Sequence, residues 1–279
     1  MKILAIVVLY NPDTTLLQKN LSAFYQHVDK VLLWNNNSTE EGTEDIKRIA
    51  EKLERIIILQ RDKNEGIATA LNYGWEYARN NGYTAILSMD QDSVFHDFEI
   101  FKKRVNEKWT QEGLCLCGPM CTPKASVPTK DSFIKKHHII TSGMLVPVAL
   151  LNQVEGYCSD FFVDGIDIDL CVKARQYHYQ SLIYEGAYLT QIYGIPQSKK
   201  VLGKTLHSPG YPSHRLYEIF RNHIIIYRRY HYPSDILLHI LHLYILGFVF
   251  KGVLLIEEHK KDKLMAVWQG IKDGCNAKL

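Results

Sequence analysis

The sequence predicts an α/β fold: a mostly parallel sheet flanked by helices, with a C-terminal helical extension. Three observations carry this expectation. Over the first 90 residues, β-rich apolar runs alternate with segments of helical periodicity. The connections between them are short, as where helices cover both faces of a parallel sheet. The composition is that of an ordinary globular chain. Of 279 residues, 46% are hydrophobic and 23% charged, which excludes a disordered or collagen-like protein.

The elements follow in order. Ile3 to Leu9 is a buried strand, stopped by Asn11, Pro12 and Asp13. Asp13 caps a helix to Val28, with Leu16, Leu17, Leu21, Phe24 and Val28 at helical spacing. Val31 to Trp34 is a second strand, ended by Asn35, Asn36, Asn37 and Ser38. Thr43 opens a second helix to about Leu53, and Ile56 to Leu59 is a third strand. A third helix, Ile67 to Arg79, starts after Asn64 and Gly66. Thr84 to Met89 is a fourth strand and runs straight into Asp90, Gln91 and Asp92. Ligands of such sheets bind beyond the carboxyl ends of the strands, and here those ends are strongly polar.

The middle is less regular. Leu114 to Cys117 and Ile139 to Val146 read as strands, Pro119 to Lys136 as a loop, and Phe161 to Val163 as a short strand before a helix from Ile166 to His178. A basic helix covers Ser213 to Arg229. An apolar stretch of 21 residues follows, Ile236 to Ile256. Lys251, His239 and His242 favour a membrane-surface or buried helix over a spanning one. No Pro/Gly/Ser-rich linker divides the chain. The expected organisation is a catalytic domain over residues 1–210 and a helical extension over 211–279.

The formal charge of +3 is too small for a dedicated nucleic-acid binder. It hides an asymmetry. From Lys199 onward there are 13 Lys/Arg against 6 Asp/Glu, whereas the first 198 residues carry 20 against 24. A basic C-terminal portion suits an anionic membrane surface or a phosphorylated ligand. Six irregularly spaced cysteines do not make a disulfide scaffold. Cys115 and Cys117 fit alternate positions of a strand better than a zinc site. The apolar N-terminus lacks a cleavage site for export, and the location expected is cytoplasmic.

Two acidic groups carry the chemistry. Asp90 and Asp92 stand two positions apart at a strand end, where they can share a divalent cation. Hard oxygen ligands suit Mg²⁺ or Mn²⁺. The second group is Asp164, Asp167 and Asp169, at the start of a helix. Asp164 fits a cap and Asp169 can meet Lys173 at i,i+4. Asp167 is left to face the site as a general base toward a hydroxyl. No GxGxxG follows the first strand, no GxSxG is present, and Gly203-Lys204-Thr205 lacks the first glycine of a phosphate loop.

With these residues in place, the sequence resembles the inverting glycosyltransferases of family two, which have the GT-A (Rossmann-like) fold. Within them it is most similar to bacterial rhamnosyltransferases of surface polysaccharide synthesis. VVLYNPD (7–13) resembles the family's opening strand and nucleotide loop. NNNST (35–39) is similar to its second-strand motif, with Asn35 where Asp is usual. NEGIATALNYG (64–74) resembles the segment beside the sugar nucleotide, and MDQDS (89–93) the DxD motif. DIDLCVKAR (167–175) resembles the helix headed by the catalytic base, and HSPGYPSHRLYEIFRN (207–222) the tail segment.

The resemblance implies a single in-line displacement on a nucleotide-diphosphate sugar. Tyr10, Asn11, Asp13, Asn35, Asn64 and Gly66 line the nucleotide side, with Asp90 near the ribose. Asp90, Asp92 and His207 are the candidate ligands of Mg²⁺ or Mn²⁺, and Asp167 is the base. TDP-rhamnose is the expected donor, with a UDP-hexose or UDP-galactofuranose as the alternative. A saccharide or lipid-linked acceptor is implied, with Arg215 and Arg221 as its contacts. The enzyme would then work at the inner face of the cell membrane, with room for peripheral membrane contact and for a homodimer. The rivals are a nucleotidyltransferase, whose Gly-rich basic loop VVLYNPD lacks, and a non-catalytic nucleotide-sugar-binding protein, which would not need three intact carboxylates.

Overall fold

The structure, a computed structural model, describes residues 1–123, 130–191, 194, 197–201, 203–230 and 252–279. Of the apolar stretch 236–256, expected as a membrane-surface or buried helix, residues 236–251 lie outside them. The described chain forms two compact units. The first comprises Met1–Phe162 and Ile166–Gln191, the second Val163–Gly165 and Ile192–Leu279.

The first unit is an α/β layer structure around a nine-stranded sheet. In chain order its elements are β1 (Ile3–Leu9), α1 (Thr14–Phe24), β2 (Lys30–Asn35), α2 (Glu40–Ala50), β3 (Ile56–Gln60), α3 (Gly66–Asn80), β4 (Ala85–Asp90), β5 (Val94–His96), α4 (Phe98–Glu112), β6 (Leu116–Thr122), β7 (Phe133–Lys136), β8 (Met144–Pro147), α5 (Val148–Val154), α6 (Ile166–Gln176) and β9 (Ser181–Thr190). The strand order is β3-β2-β1-β4-β8-β6-β9-β5, with β7 also paired to β9. The pairs β3–β2, β2–β1 and β1–β4 are parallel, and β8 enters antiparallel to β4.

Burial explains the sequence pattern of β1. Ile3, Ala5, Val7 and Leu9 join one core cluster with Leu17, Leu21 and Phe24 of α1 and Ile46 and Ile49 of α2. Leu4 and Ile6, pointing the other way, are buried as well. A strand covered on both faces reads as an unbroken apolar run. On Ile6 the cover is α3: a Cβ on Gly74 would lie 2.0 Å from Ile6 Cδ1. Glycine there lets the helix sit close to the strand.

The first four strands and three helices lie where the sequence places them, with shifted ends. Asp13 caps α1, its Oδ1 accepting from Leu16 N at 2.8 Å. The helix gives way at Tyr25–His27 to a 3₁₀ turn instead of reaching Val28. α2 starts at Glu40, before Thr43, because Thr39 Oγ1 accepts from Gly42 N and caps it there.

The middle departs further from expectation. β6 continues through Pro119 to Thr122, and the proline sits where the β6–β9 register shifts, a place that tolerates a missing N–H. Residues 133–136, expected as loop, pair with β9 as β7. Residues 139–143 are not strand. Ser88 draws their main chain into a turn, its Oγ donating to Thr141 O at 2.6 Å and its carbonyl accepting from Gly143 N at 2.7 Å. Phe161–Val163 is not a strand either: the Phe162 carbonyl accepts from Ile67 N at 2.8 Å, at the start of α3.

The second unit holds an antiparallel hairpin, β10 (Gln197–Val201) and β11 (Lys204–Ser208), and the helices α7 (Ser213–Tyr230) and α8 (Lys260–Asn276). Gly270 and Gly274 of α8 sit against the α7 backbone, where a Cβ would lie 2.5 Å from Tyr217 O and 2.8 Å from Arg221 O. Tyr217 Oη donates to Asp273 at 3.0 Å, and Arg228 donates to the carbonyls of Gly274 and Ala277, each at 2.8 Å.

Candidate active site

The parallel register brings four loops to one edge of the sheet. Leu9 stands opposite Asn35, Asn35 opposite Gln60, and Val8 opposite Asp90. The residues just beyond are Tyr10-Asn11, Asn36-Asn37, Arg61-Asp62 and Gln91-Asp92. Tyr10, Asn11, Asn64, Asp90 and Asp92 therefore share an edge, as the sequence predicts.

Side-chain amides hold these loops together. Gln91 grips the Tyr10 backbone from both sides: its Oε1 accepts from Tyr10 N at 2.7 Å and its Nε2 donates to Tyr10 O at 3.1 Å. The Tyr10 ring is left 50% exposed, a flat surface open to a planar ligand. Asn11 adopts a positive φ of 47°. Its N donates to Ser38 Oγ and its Oδ1 accepts from Thr39 N, both at 2.9 Å. Asp13 is exposed, with Oδ1 spent on the α1 cap.

Asn35 is placed differently from its neighbours. It is fully buried. Its amide donates to Gln60 Oε1 at 2.5 Å and Thr43 Oγ1 at 3.0 Å, and its Oδ1 accepts from Ser38 N at 3.0 Å. This side chain shapes the loop from beneath. Asn36 does the same for the next loop, donating to Asn64 Oδ1 at 2.6 Å and accepting from Glu65 N at 2.8 Å. Asn64 also accepts from Gly66 N at 3.1 Å. Gly66 has φ +79°, and a Cβ there would stand 2.6 Å from the Phe162 carbonyl oxygen, so both its conformation and its close approach require glycine. Arg61 donates to Glu65 at 2.7 Å and lies over the Trp34 ring at 4.9 Å. The hydrogen bond from Arg61 holds the Glu65 carboxyl below its ordinary value.

The Asp90–Asp92 loop is fixed from below. Asn20 of α1, fully buried, donates to Asp90 O at 2.8 Å and Ser93 O at 2.5 Å. Ser142 Oγ accepts from Asp90 N at 3.1 Å and donates to Ser93 Oγ at 3.1 Å. Gln191 Nε2 donates to Asp90 Oδ2 at 2.7 Å. Asp92 is exposed at the tip.

Asp167 is half-buried in the first turn of α6, where its Oδ1 accepts from Ile168 N at 2.9 Å. Carboxylates gain there from the helix dipole. Asp169 is fully buried and meets Lys173 at 3.2 Å, as its i,i+4 spacing predicts. Burial pushes the Cys171 thiol up to about 11, which makes it a packing residue. Asp164 is held in an ion pair. With φ 57° it belongs to the second unit, where Arg215 grips it with two bonds of 2.7 and 3.0 Å. Arg215 is thus charge-paired, as is Arg221, 3.1 Å from Glu218. His207 is exposed on β11, opposite Ser198.

Asn20, Asn36, Gln91, Ser142 and Gln191 were not candidates from sequence. Asn20 alone left a signal: it is the polar residue in the apolar stripe Leu17, Leu21, Phe24.

Residues 5–110 match the model of Glycosyl transferase family 2. That stretch is similar to a glycosyl transferase family 2 domain. The chain is a glycosyltransferase. The dTDP-rhamnosyl transferase RfbF of Shigella flexneri is 24% identical over 300 residues, covering 97% of this chain and 95% of that protein. Among solved structures, S. aureus TarS 1-349 matches with a TM-score of 0.61 at 13% identity, over 98% of this chain and 81% of that one. GalNAc-T7, solved with UDP, GalNAc and Mn²⁺, matches with a TM-score of 0.63 at 10% identity, over 82% of this chain. This chain spans about half of it, 48%. At such identities these likenesses give the fold, which is GT-A.

Proposed function

We propose that the protein is an inverting, metal-dependent glycosyltransferase that moves rhamnose from TDP-rhamnose to a hydroxyl of a growing, lipid-linked surface polysaccharide. The observation that carries this reading is the shared edge: one register presents Tyr10, Asn11, Asn64, Asp90 and Asp92 together in the stretch similar to a family 2 domain. The likeness to RfbF supports the donor sugar. Residues 1–210 are the proposed catalytic domain and 211–279 its extension.

The donor set fits a divalent cation. Asp90 and Asp92 are two hard carboxylates at one loop, and Mg²⁺ or Mn²⁺ usually takes one or two carboxylates and completes its shell with phosphates and water. Among the described residues no three His, Cys, Asp or Glu side chains cluster, and the diphosphate would complete the shell of a cation held by the two carboxylates. When bound, the cation supplies a Lewis acid beside the leaving diphosphate.

The chain's own residues do the remainder. Tyr10, Asn11 and Asn64 orient the nucleotide, while Asn35, Asp13 and Gly66 shape its loops. Asp167 accepts the proton of the acceptor hydroxyl. The hydroxyl oxygen bonds to the anomeric carbon as the bond from that carbon to the diphosphate oxygen breaks. The nucleoside diphosphate leaves with the bonding pair, and one displacement inverts configuration.

The test is donor-dependent thermal stabilisation with Mn²⁺, with and without EDTA, across TDP-rhamnose, UDP-sugars and GDP-mannose. A ligand held only by the folded state raises the melting temperature. A metal-dependent shift with TDP-rhamnose alone is expected. A shift with a UDP-sugar alone would overturn the donor, and no shift with any would overturn the metal-dependent donor site at the shared edge.

The membrane-face location rests on α8. No helix among the described residues is long and apolar enough to cross a membrane. Lys261, Met265, Trp268 and Lys272 share one exposed face, with Met265 60% and Trp268 68% exposed. An apolar stripe flanked by lysines suits the surface of an anionic bilayer. In flotation with phosphatidylglycerol-containing vesicles, the double variant Met265→Ser/Trp268→Ser is expected to lose most of the bound fraction. Binding equal to the parent would remove α8 from the membrane contact.

A further inference from the structure

Gln191 stands immediately after β9 and is 7% exposed. Its main chain is fixed, its N donating to Thr122 O at 3.1 Å. Among the described residues its side chain makes one hydrogen bond, from Nε2 to Asp90 Oδ2 at 2.7 Å. The other end of the amide, Oε1, is buried and has no hydrogen-bond partner among the described residues. The orientation follows from chemistry, because only the NH₂ end can face a carboxylate.

A buried carbonyl without a partner destabilises a fold, and an apolar side chain of similar size would fill the space without that penalty. The amide is therefore poorly explained by packing. It is well explained by Asp90. The Asp90 main chain is already pinned at both ends, by Ser142 at its N and by Asn20 at its O. These two bonds act on the main chain, whereas the bond from Gln191 acts on the carboxylate itself. The bond from Gln191 fixes one carboxylate oxygen and so sets where the other points.

We propose that Gln191 is a positioning residue for Asp90: it holds the carboxylate in the rotamer that meets a divalent cation on the donor's diphosphate. The proposal rests on the reading of Asp90 as a cation ligand. Groups that orient a metal ligand from behind are worth about 10–100-fold in affinity when lost. The cost is borne by Mn²⁺ binding and not by stability, which separates positioning from packing.

The experiment measures Mn²⁺ binding in the presence of TDP, by the electron paramagnetic resonance signal of free Mn²⁺, with melting temperature alongside. Four proteins are compared: the parent chain, Gln191→Met, Asp90→Asn and the double variant. Gln191→Met is expected to weaken Mn²⁺ binding about 10–100-fold with a melting temperature equal to or above the parent's. In the Asp90→Asn background the same substitution is expected to change nothing further, since coupled residues share one interaction. Parent-like Mn²⁺ binding by Gln191→Met would overturn the proposal, as would a full additive effect in the double variant. Should Gln191→Met melt early, Gln191→Leu is measured, and early melting of both would assign Gln191 to packing and also overturn it. No Mn²⁺ binding by the parent chain with TDP would instead overturn the cation site itself.

Discussion

Asp167→Asn is expected to lower turnover by about 10²–10⁴-fold, the usual contribution of a general base, while donor and Mn²⁺ binding stay within about twofold. The substitution keeps size and shape. Asp167 Oδ1 accepts from Ile168 N, and an amide oxygen can do the same, so the first turn of α6 is preserved. What disappears is the ability to take a proton. Asp169→Asn is the matched control two positions on. Asp169 is fully buried against Lys173, and breaking a buried pair from one side costs about 3–5 kcal/mol. Its effect should appear in the melting temperature. Steady-state turnover, calorimetric nucleotide binding and thermal melts on both variants decide the matter. Turnover retained in Asp167→Asn would take the base away from α6.

The parallel half of the sheet was legible because its signals are local. Strand β1 is apolar on both faces and ends in Asn-Pro-Asp, and each following helix carries its own cap or breaker. The other half depends on partners distant in sequence. Residues 133–136 have no strand alternation strong enough to announce β7; they become one because β9 offers a free edge. The stretch 139–143 has β-rich composition, yet Ser88, more than fifty residues earlier, turns its backbone with two hydrogen bonds. Pro119 argued for a loop, and a register shift in β6 absorbs it.

The site divides in the same way. Asp90, Asp92 and Asp167 stand out because a carboxylate at a strand end or helix start is chemically conspicuous. The amides that support them do not. Gln91, Gln191 and Asn36 are ordinary polar residues until the fold shows which backbone they grip. Asn35 marks the limit: its position in the second-strand motif points to a nucleotide contact, whereas its hydrogen bonds go to Gln60, Thr43 and Ser38.

Asp92→Asn is expected to abolish the metal-dependent part of donor stabilisation without destabilising the free protein. The side chain is exposed at the loop tip, and substitutions at such positions usually stay within about 0.5 kcal/mol. Asp90→Asn should behave otherwise, because it also disturbs the bond from Gln191. At a ligand concentration about 100 times Kd, binding stabilises the folded state by about 2.7 kcal/mol. Losing one of two carboxylates weakens the cation–diphosphate complex by at least about 100-fold, the upper end of what a supporting group alone is worth. The same concentration then gives only about 0.4 kcal/mol, so the thermal shift nearly vanishes. EDTA added to the parent chain should produce the same loss, and EDTA added to Asp92→Asn should produce none beyond it. A variant that still responds to Mn²⁺ as the parent does would show that the cation is held without Asp92.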